Sequence, residues 1–260
     1  MSLKLDDYEV KFADTLEESR QVRQLRYRVF CEEDGAIATP EQKKLHEEYD
    51  FYDTYAKYLI ILHKNKVIGS YRIIDAESAR KNGGFYSETE FDISKIKNSG
   101  QNIVELSRAC IEQEYRKKKI PLWLLWAGLN RYIMDNKIDI SFGMVSWKGT
   151  NPLDSANAIS YLYHNRLSPI ALRATVDKNK LPKDINQRLL NMNILQKNDI
   201  DSNIARKEMP PLLKGYLDLN ATFGDGIFID KKFNSYEVLT VLQTRDINPK
   251  FQEFFTNRQH

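Results

Sequence analysis

The sequence is poor in the residues that hold disulfide-linked and metal-dependent proteins together. It has only two cysteines in 260 residues, Cys31 and Cys110, so no disulfide framework is predicted. Its four histidines are scattered, and neither an HExxH motif nor paired-cysteine spacing occurs. We therefore expect a chain that folds around its own apolar core in a reducing compartment. We expect no metal site.

Long apolar runs and a large excess of one charge are also missing. The longest apolar run covers residues 120–129 (IPLWLLWAGL), about half of the ~20 residues that a membrane span needs. The N-terminus lacks a basic start followed by an apolar stretch, so no signal peptide is predicted. The formal net charge of +3 disfavours a nucleic-acid binder. These features predict a cytoplasmic protein that at most visits a membrane surface.

The motifs of several common enzyme classes are absent as well. The sequence contains no GxSxG elbow of a serine hydrolase, no GxxxxGK[ST] phosphate loop and no GxGxxG dinucleotide motif. The Gly224-Asp225-Gly226 segment is explained more simply as a tight turn, where glycine supplies a positive φ. The chemistry must therefore come from other residues.

The apolar pattern predicts a single α/β domain over residues 1–260. We expect a mixed central sheet flanked by helices, an irregular acidic stretch at residues 36–55 and a polar insertion at about 173–208. Thr15 and Glu18 fit a capping box that opens the first helix, which we expect to end near Asp34. The predicted strands are residues 8–13, 58–62, 67–74, 102–111, 140–147 and 236–243. The predicted helices are residues 16–34, 120–136 and 154–164, with a further one starting at Pro210-Pro211.

The strand at residues 102–111 (NIVELSRACI) carries two charged side chains in an apolar setting. Burying Glu105 and Arg108 without partners would be expensive. Strand alternation predicts that they point to opposite faces, since they are three residues apart. Each could have an ion partner at the sheet rim, or Glu105 could be held in a cleft as a general base or ammonium ligand. Cys110 is expected to be a small core residue.

Two further segments have charge patterns with two possible meanings. Residues 47–53 (EEYDFYD) place four carboxylates among aromatic rings, which suits either a solvated loop or a site for a cationic substrate. Residues 116–119 (RKKK) come directly before the predicted helix at 120. That basic run could be simply solvated, or it could bind a phosphate or an acidic partner.

Taken in order, six segments resemble one known family. They are LRYRVFCEEDGA (25–36), DFYD (50–53), VIGSYRII (67–74), GFYSETEFDI (84–93), VELSRACIEQEYR (104–116) and MPPLLKGYLDLNATFGDGIFIDKKFN (209–234). Together they resemble the bacterial L-ornithine Nα-acyltransferases of ornithine-lipid synthesis, a hemolysin-like branch of the GNAT acyltransferase superfamily. The resemblance extends from Leu25 to about Phe254. The N-terminal half is shared in outline with acyl-homoserine-lactone synthases, but Gly35-Ala36 and the long C-terminal block favour the ornithine enzymes.

The resemblance implies a GNAT-like acyltransferase fold and a specific reaction. A long 3-hydroxyacyl chain would pass from acyl carrier protein to the α-amine of L-ornithine, giving lyso-ornithine lipid. One departure bears on the donor: GNAT acetyltransferases carry a [QR]xxGx[GA] phosphate loop, whereas residues 116–121 are RKKKIP. Coenzyme A's diphosphate approaches the glycines of that loop closely, which larger side chains hinder. A carrier protein with a single phosphate suits the lysines better.

The resemblance and the charge pattern together nominate site residues. We assign catalytic roles to Glu105, Arg108 and Asp50, and substrate binding to Asp53, Arg72, Arg26 and Phe30. The acyl-carrier surface is assigned to Arg116, Lys117, Lys118 and Lys119. The alternatives are an acyl-homoserine-lactone synthase, another amino-acid N-acyltransferase, and a silent protein that binds acyl carrier protein without turnover.

Overall fold

The computed structural model describes residues 2–181 and 187–247, without the side chains of Lys119 and Gln187. The strands β1 to β11 are, in chain order, Ser2–Leu5, Tyr8–Phe12, Lys57–His63, Lys66–Asp75, Phe91–Asp92, Ile103–Ile111, Ile140–Lys148, Thr175–Val176, Thr222–Phe223, Phe228–Asp230 and Ser235–Gln243. The helices α1 to α8 are Leu16–Arg26, Pro40–Leu45, Ala76–Asn82, Ser94–Lys97, Lys119–Asp135, Ala156–Arg166, Ser202–Glu208 and Pro211–Asp218. A π-helix covers Tyr27–Glu33, and 3₁₀ turns cover Phe51–Thr54, Tyr86–Thr89, Gln113–Tyr115, Pro152–Ser155, Lys178–Lys180, Gln187–Leu190, Lys197–Asp199 and Thr244–Asp246.

The chain divides into two compact units, each built from two segments. Unit 1 comprises Met1–Phe85 and Val104–Lys137, and unit 2 comprises Tyr86–Ile103 and Ile138–His260. The interpretation of residues 1–260 as one domain stays a prediction. No helix within the described residues is long and apolar enough to cross a membrane.

Unit 1 is built on an antiparallel run of strands in the order β1-β2-β3-β4-β6. The predicted strands at residues 58–62 and 67–74 are confirmed as β3 and β4, which form an antiparallel hairpin. Its two turn residues, Lys64 and Asn65, both have positive φ values, 50° and 64°. Two such residues match the twist of the flanking strands. The predicted strand at residues 8–13 is confirmed as β2, and β1 was not predicted.

Helix α1 covers one face of this sheet. Its N-cap is Thr15, whose hydroxyl accepts the amide of Glu18 at 3.1 Å. The predicted capping box is only half right, because the Glu18 carboxylate accepts the amide of Asp14 at 3.0 Å. The helix widens into the π-helix and ends at Asp34, where we predicted its end. Cys110 is a buried member of the core beneath it, as predicted, and burial raises the pKa of its thiol to about 11.

Helix α5 packs on the opposite face of the unit 1 sheet. A Cβ added to Gly128 would lie 2.9 Å from Val10 and 3.2 Å from Leu59, so helix and strands meet closely here. Tyr58 and Ile60 pack on the α1 side of the sheet, and Leu59 lies between them in the strand. Because neighbouring side chains in a strand point to opposite faces, Leu59 points toward α5. The helix predicted at residues 120–136 is therefore confirmed, with most of its apolar side chains buried.

Unit 2 contains the antiparallel order β7-β11-β10, with β9 also paired to β11 and a separate β5–β8 pair. The predicted strands at 140–147 and 236–243 are confirmed as β7 and β11. Gly226, with φ +104°, makes the predicted turn. The segment at 173–208 holds β8, several 3₁₀ turns and α7, while residues 182–186 lie outside the described part.

The prediction of an irregular stretch at residues 36–55 is wrong. Thr39 and Gln42 form a reciprocal capping box that starts α2, and this helix signal lies within four consecutive residues of the sequence. A 3₁₀ turn at Phe51–Thr54 follows, and this turn positions the residues described next.

Candidate active site

The site is a buried group of opposite charges in unit 1, which we call the acid–arginine cluster. Its members are Arg26, Arg72, Arg108, Glu48, Asp50 and Asp53. Three guanidinium groups thus face three carboxylates. Arg26 is entirely buried at the end of α1. Its Nε donates to Glu48 Oε2 at 2.6 Å, and its Nη1 and Nη2 donate to the two oxygens of Asp53 at 2.7 and 3.1 Å.

Arg72, on β4, is also entirely buried and links both aspartates to the neighbouring strand. Its Nη1 donates to Asp50 Oδ1 at 2.6 Å and to Asp53 Oδ1 at 3.1 Å. Its Nε donates to Ser107 Oγ on β6 at 3.1 Å. Arg72 is therefore bonded on several sides by protein groups.

The two aspartates converge because of the local turn that they themselves stabilise. Asp50 caps the 3₁₀ turn by accepting the amide of Tyr52 at 2.9 Å. A second hydrogen bond closes the turn, in which Asp53 Oδ2 accepts the backbone amide of Asp50 at 2.8 Å. The three-residue spacing of DFYD thus brings both carboxylates to one end of the turn, where the arginines meet them.

The arginines keep both aspartates ionised. Burial alone would raise the pKa of Asp50, but the guanidinium groups of Arg72 and Arg108 outweigh it and lower that pKa. Burial likewise opposes ionisation of Asp53, and Arg26 and Arg72 outweigh it, so the pKa of Asp53 lies well below its ordinary value. The cluster is therefore a set of ion pairs at neutral pH.

The prediction that Arg108 points away from the Glu105 face is wrong. Arg108 has φ +52°, and the β4–β6 register shifts between Ser70 and Arg72, so the strand bulges at this point. The bulge breaks the alternation and turns Arg108 toward the cluster. Arg108 Nη2 consequently donates to Asp50 Oδ2 at 3.1 Å.

Glu105 lies on β6 beside this cluster and is entirely buried. Two residues on, Ser107 shares its face and contacts Arg72. The Tyr55 hydroxyl donates to the carbonyl of Gly84 at 2.8 Å. Burial, then the charges of Tyr52 and Glu105, raise the pKa of Tyr55 to about 12. The structure thus brings together Glu105, Arg108, Asp50, Asp53, Arg72 and Arg26 of the predicted site.

Phe30 is not part of this group. It lies on the π-helix and packs, half-buried, against the apolar cluster under α1. Glu48 and Ser107 belong to the site but received no role from the sequence. Ser107 was accessible to sequence reasoning, because it lies two residues from Glu105 in the same strand. Glu48 gave no signal beyond its place in the acidic stretch.

The four basic residues at 116–119, the last of which begins α5, have different surroundings. Arg116 is held by protein groups, with Nη2 2.7 Å from Glu33 Oε2 and Nε donating to the Ile111 carbonyl at 2.9 Å. Lys118 Nζ lies 4.3 Å from the centroid of the Tyr115 ring, and both Lys117 and Lys118 are exposed. The side chain of Lys119 lies outside the described part of the chain.

An open cleft of about 630 Å³ adjoins Asp53 at the end of β2 and the start of β3. Its lining carries charges of both signs. Arg23 and Lys57 are basic, and Asp53 and Asp135 are acidic. Within the described residues, no group of three or more His, Cys, Asp or Glu side chains could hold a metal ion.

Similarity to known proteins identifies the family. The model of the acetyltransferase (GNAT) domain family matches residues 25–126. An L-ornithine N(alpha)-acyltransferase of Rhodobacter capsulatus is 30% identical over 96% of this chain and 95% of that protein. The chain belongs to the L-ornithine N(alpha)-acyltransferase family. A second member, from Brucella abortus, is 32% identical over 97% of this chain and 90% of that protein.

The family membership confirms the predicted acyltransferase on a GNAT-like α/β fold. The solved structure of FeeM, an N-acyl amino acid synthase from uncultured soil microbes, matches this chain over 92% of its length and over 91% of the FeeM chain. Its TM-score is 0.50 at 10% identity, so it supports the fold and nothing further.

The cluster predicts a large loss of stability when one charge is removed. Asp53→Asn leaves Arg26 and Arg72 without a full counter-charge, and we expect the free energy of unfolding at pH 7 to fall by about 3–5 kcal/mol. The exposed Asp135, paired with Arg131, is the matched control. Asp135→Asn should lower the free energy of unfolding by less than about 1 kcal/mol. Urea unfolding measures both.

The same variant tests the ionisation of Asp53. The ordinary aspartate pKa is 3.8 and the folded value is lower, so the unfolded chain takes up protons first as the pH falls. The wild-type free energy of unfolding should therefore decrease from about pH 5 downward, and Asp53→Asn should decrease less steeply. Parallel pH profiles would show that Asp53 does not titrate as an ion-paired group.

Proposed function

We propose that this chain transfers a long 3-hydroxyacyl group from acyl carrier protein to the α-amine of L-ornithine, giving lyso-ornithine lipid. The observation that carries the proposal is full-length similarity to proteins named L-ornithine N(alpha)-acyltransferase. The buried cluster of paired arginines and carboxylates beside Glu105 supplies groups that suit an amino-acid acceptor. No metal or redox cofactor enters the proposed reaction.

The proposed chemistry is direct transfer without an acyl-enzyme. The neutral α-amine attacks the thioester carbon, a C–N bond forms, the C–S bond breaks, and the carrier thiolate leaves. The ammonium form has no lone pair, so a proton must go first, and Glu105 is our proposed acceptor, directly or through one water. After the attack the nitrogen loses its second proton, which leaves the neutral amide, and the departing carrier thiolate takes up that proton. Backbone N–H groups of the β6 segment from Glu105 to Ala109 would stabilise the thioester oxygen.

The acid–arginine cluster divides into two kinds of residue in this proposal. Arg26 and Arg72 are entirely buried and bonded to carboxylates, so we assign them positioning roles. Asp50 and Arg108 are the accessible pair, with side chains 16% and 10% exposed. Arg108 would meet the ornithine carboxylate, and Asp50 one ammonium group. Asp53 forms ion pairs with Arg26 and Arg72. It also lines the adjoining cleft, where its negative charge would attract the diamine ornithine.

Phe30 would act indirectly. It packs on the core beneath the π-helix, next to the turn that carries Arg26. Its proposed contribution to substrate binding is to fix the end of α1.

The carrier protein would contact Lys117 and Lys118. Acyl carrier proteins are acidic, and an exposed cation pair at the rim of a site attracts them over the Debye length. Arg116 is held by Glu33 and supports the backbone of the segment instead. Lys119 is retained in the proposal on its sequence position alone. Because the product carries a single acyl chain, we also propose transient contact of this cytoplasmic enzyme with the inner-membrane surface.

The reaction is tested most directly by lipid analysis. A host without ornithine lipids that expresses this chain should accumulate a singly acylated ornithine, detected by mass spectrometry, because substrates are present in the cell. A Glu105→Gln host is the negative control. Folded protein without any acyl-ornithine in the host would contradict the proposal. Formation of an acyl-homoserine lactone that depends on S-adenosylmethionine would instead identify an acyl-homoserine-lactone synthase.

Glu105→Gln is expected to lower kcat by about 10²–10⁴-fold, because it removes the basic carboxylate and keeps the shape. The melting temperature should stay within a few degrees, since a neutral amide is easier to bury than a charge. Glu47→Gln is the matched control: Glu47 is a buried carboxylate too, bonded to Arg20 and Arg23 on α1, and its amide variant should retain most of kcat. Normal turnover by Glu105→Gln would remove Glu105 from the chemistry.

Lys117→Glu together with Lys118→Glu should slow association with acyl carrier protein, and wild-type binding should weaken as salt rises from about 0.05 to 0.5 M. The KM for the carrier thioester should rise and the KM for ornithine should not. The control with the same charge change is Lys43→Glu with Lys44→Glu on the exposed side of α2. Equal affinities for both pairs would assign residues 117 and 118 to a solvated surface.

A further inference from the structure

Lys118, one of the two exposed lysines before helix α5, lies over an aromatic ring of unit 1. Its ammonium nitrogen is 4.3 Å from the centroid of the Tyr115 ring. Lys117 has no such contact within the described part of the chain. A cation is attracted by the negative face of an aromatic ring. The contact therefore restrains the Lys118 side chain, whose long stem would otherwise sample many rotamers.

Tyr115 is itself fixed by a cluster of three rings. Its side chain is buried, and its hydroxyl oxygen lies at a hydrogen-bond distance of 2.8 Å from Nδ1 of His63, the last residue of β3. The His63 ring stacks on Tyr8 of β2 at a centroid distance of 4.6 Å. Tyr8 in turn meets the Tyr115 ring edge-on at 6.4 Å. The rings of two strands thus hold the ring beneath Lys118 in place.

The backbone connects Lys118 to the same turn. Tyr115 ends the 3₁₀ turn Gln113–Tyr115, and the amide of Lys118 donates to the Tyr115 carbonyl at 3.0 Å. Lys118 also immediately precedes α5 and has extended dihedral angles, φ −87° and ψ 133°. The backbone of Lys118 is therefore defined on both sides, and the Tyr115 ring defines where its ammonium group lies.

We propose that Tyr115 is a positioning residue, which holds the Lys118 ammonium group ready for an anionic group of acyl carrier protein. This inference rests on the proposed function. A side chain that is already held in its bound orientation loses less conformational freedom on binding, so it contributes more to affinity. Lys118 would thus form a defined ion pair with the carrier, whereas Lys117 would supply mainly long-range attraction.

The test measures KM for an acyl-carrier thioester with the full chain and saturating ornithine. Tyr115→Leu should raise this KM by about 2–5-fold, the effect of one exposed cation–π contact, and leave kcat unchanged. Tyr115→Phe keeps the ring beneath Lys118 and removes only the hydroxyl that meets His63. Its KM for the carrier thioester should therefore stay within about 2-fold of the wild type. The KM for ornithine should not change in either variant.

A double-mutant cycle links the effect to Lys118. Lys118→Met keeps most of the stem and removes the charge, so it should raise the KM for the carrier thioester by itself. Adding Tyr115→Leu to Lys118→Met should raise this KM no further, because both changes remove the same interaction. Adding Tyr115→Leu to Lys117→Met should have its full effect. Full additivity with Lys118→Met would overturn the inference.

Acyl-phosphopantetheine without the carrier protein distinguishes the two anions that the carrier offers to Lys118. A higher KM for this small donor in Tyr115→Leu assigns the contact to the phosphate group. A rise in KM that is limited to the whole carrier assigns the contact to carboxylates of the protein surface.

Tyr27→Leu is the matched control. Tyr27 is also a buried tyrosine of unit 1 whose ring meets a histidine, with 5.3 Å between its centroid and that of His46. Its loss should leave the KM for the carrier thioester unchanged. If Tyr115→Leu does not fold, NMR of the wild type and Tyr115→Phe replaces it. The ring current should shift the ε-methylene protons of Lys118 upfield of those of Lys117, and equal shifts would overturn the inference.

The outcomes separate this inference from the proposed function. Ornithine acylation with an unchanged carrier KM in Tyr115→Leu, or with the same rise in Tyr115→Phe, overturns the inference and leaves the reaction in place. Absence of ornithine acylation by the wild type overturns the proposed function instead. In that case, equilibrium titration of the carrier protein against the same variants still measures whether Tyr115 supports Lys118.

Discussion

The structure of unit 1 depends on the neutralisation of two guanidinium groups that have no access to water. Arg26 and Arg72 are each entirely buried, and an unpaired charge at either position would be strongly unfavourable. Asp50, Asp53 and Glu48 supply the counter-charges. Meeting this requirement ties the end of α1, the 3₁₀ turn at Phe51–Thr54 and the middle of β4 to one another, so three separate chain segments share a single electrostatic constraint.

This constraint favours one arrangement more than it adds stability. Buried ion pairs gain little free energy over apolar packing, but they require defined geometry because every donor must meet its acceptor. In this cluster the geometry extends to β6, where Ser107 receives a bond from Arg72 and the bulge at Arg108 reaches Asp50. A rigid charged framework next to Glu105 is what an enzyme needs if a carboxylate is to stay aligned with a reacting amine.

Family and fold contribute different kinds of knowledge about this chain. FeeM has a similar fold at 10% identity, and fold alone leaves the substrate open. Relatives at about 30% identity over nearly the whole chain define the family and the reaction class. The surroundings of individual residues then refine the roles. Among the four basic residues at 116–119, Arg116 is a structural partner of Glu33, which its sequence position does not reveal.

The sequence by itself determined the elements whose signals are local. The β3–β4 hairpin, α5 and the Thr15 cap follow from alternation, apolar periodicity and a side chain acting on its own neighbours. The capping box of α2 is equally local, because Thr39 and Gln42 lie only three residues apart. Only the tertiary structure decided the pairing in the acid–arginine cluster, because its hydrogen-bonded partners stand 19 to 58 residues apart in the chain. It also decided the direction of the Arg108 side chain. The bulge in β6 depends on how β6 pairs with β4, and the nine residues of β6 alone do not specify that pairing.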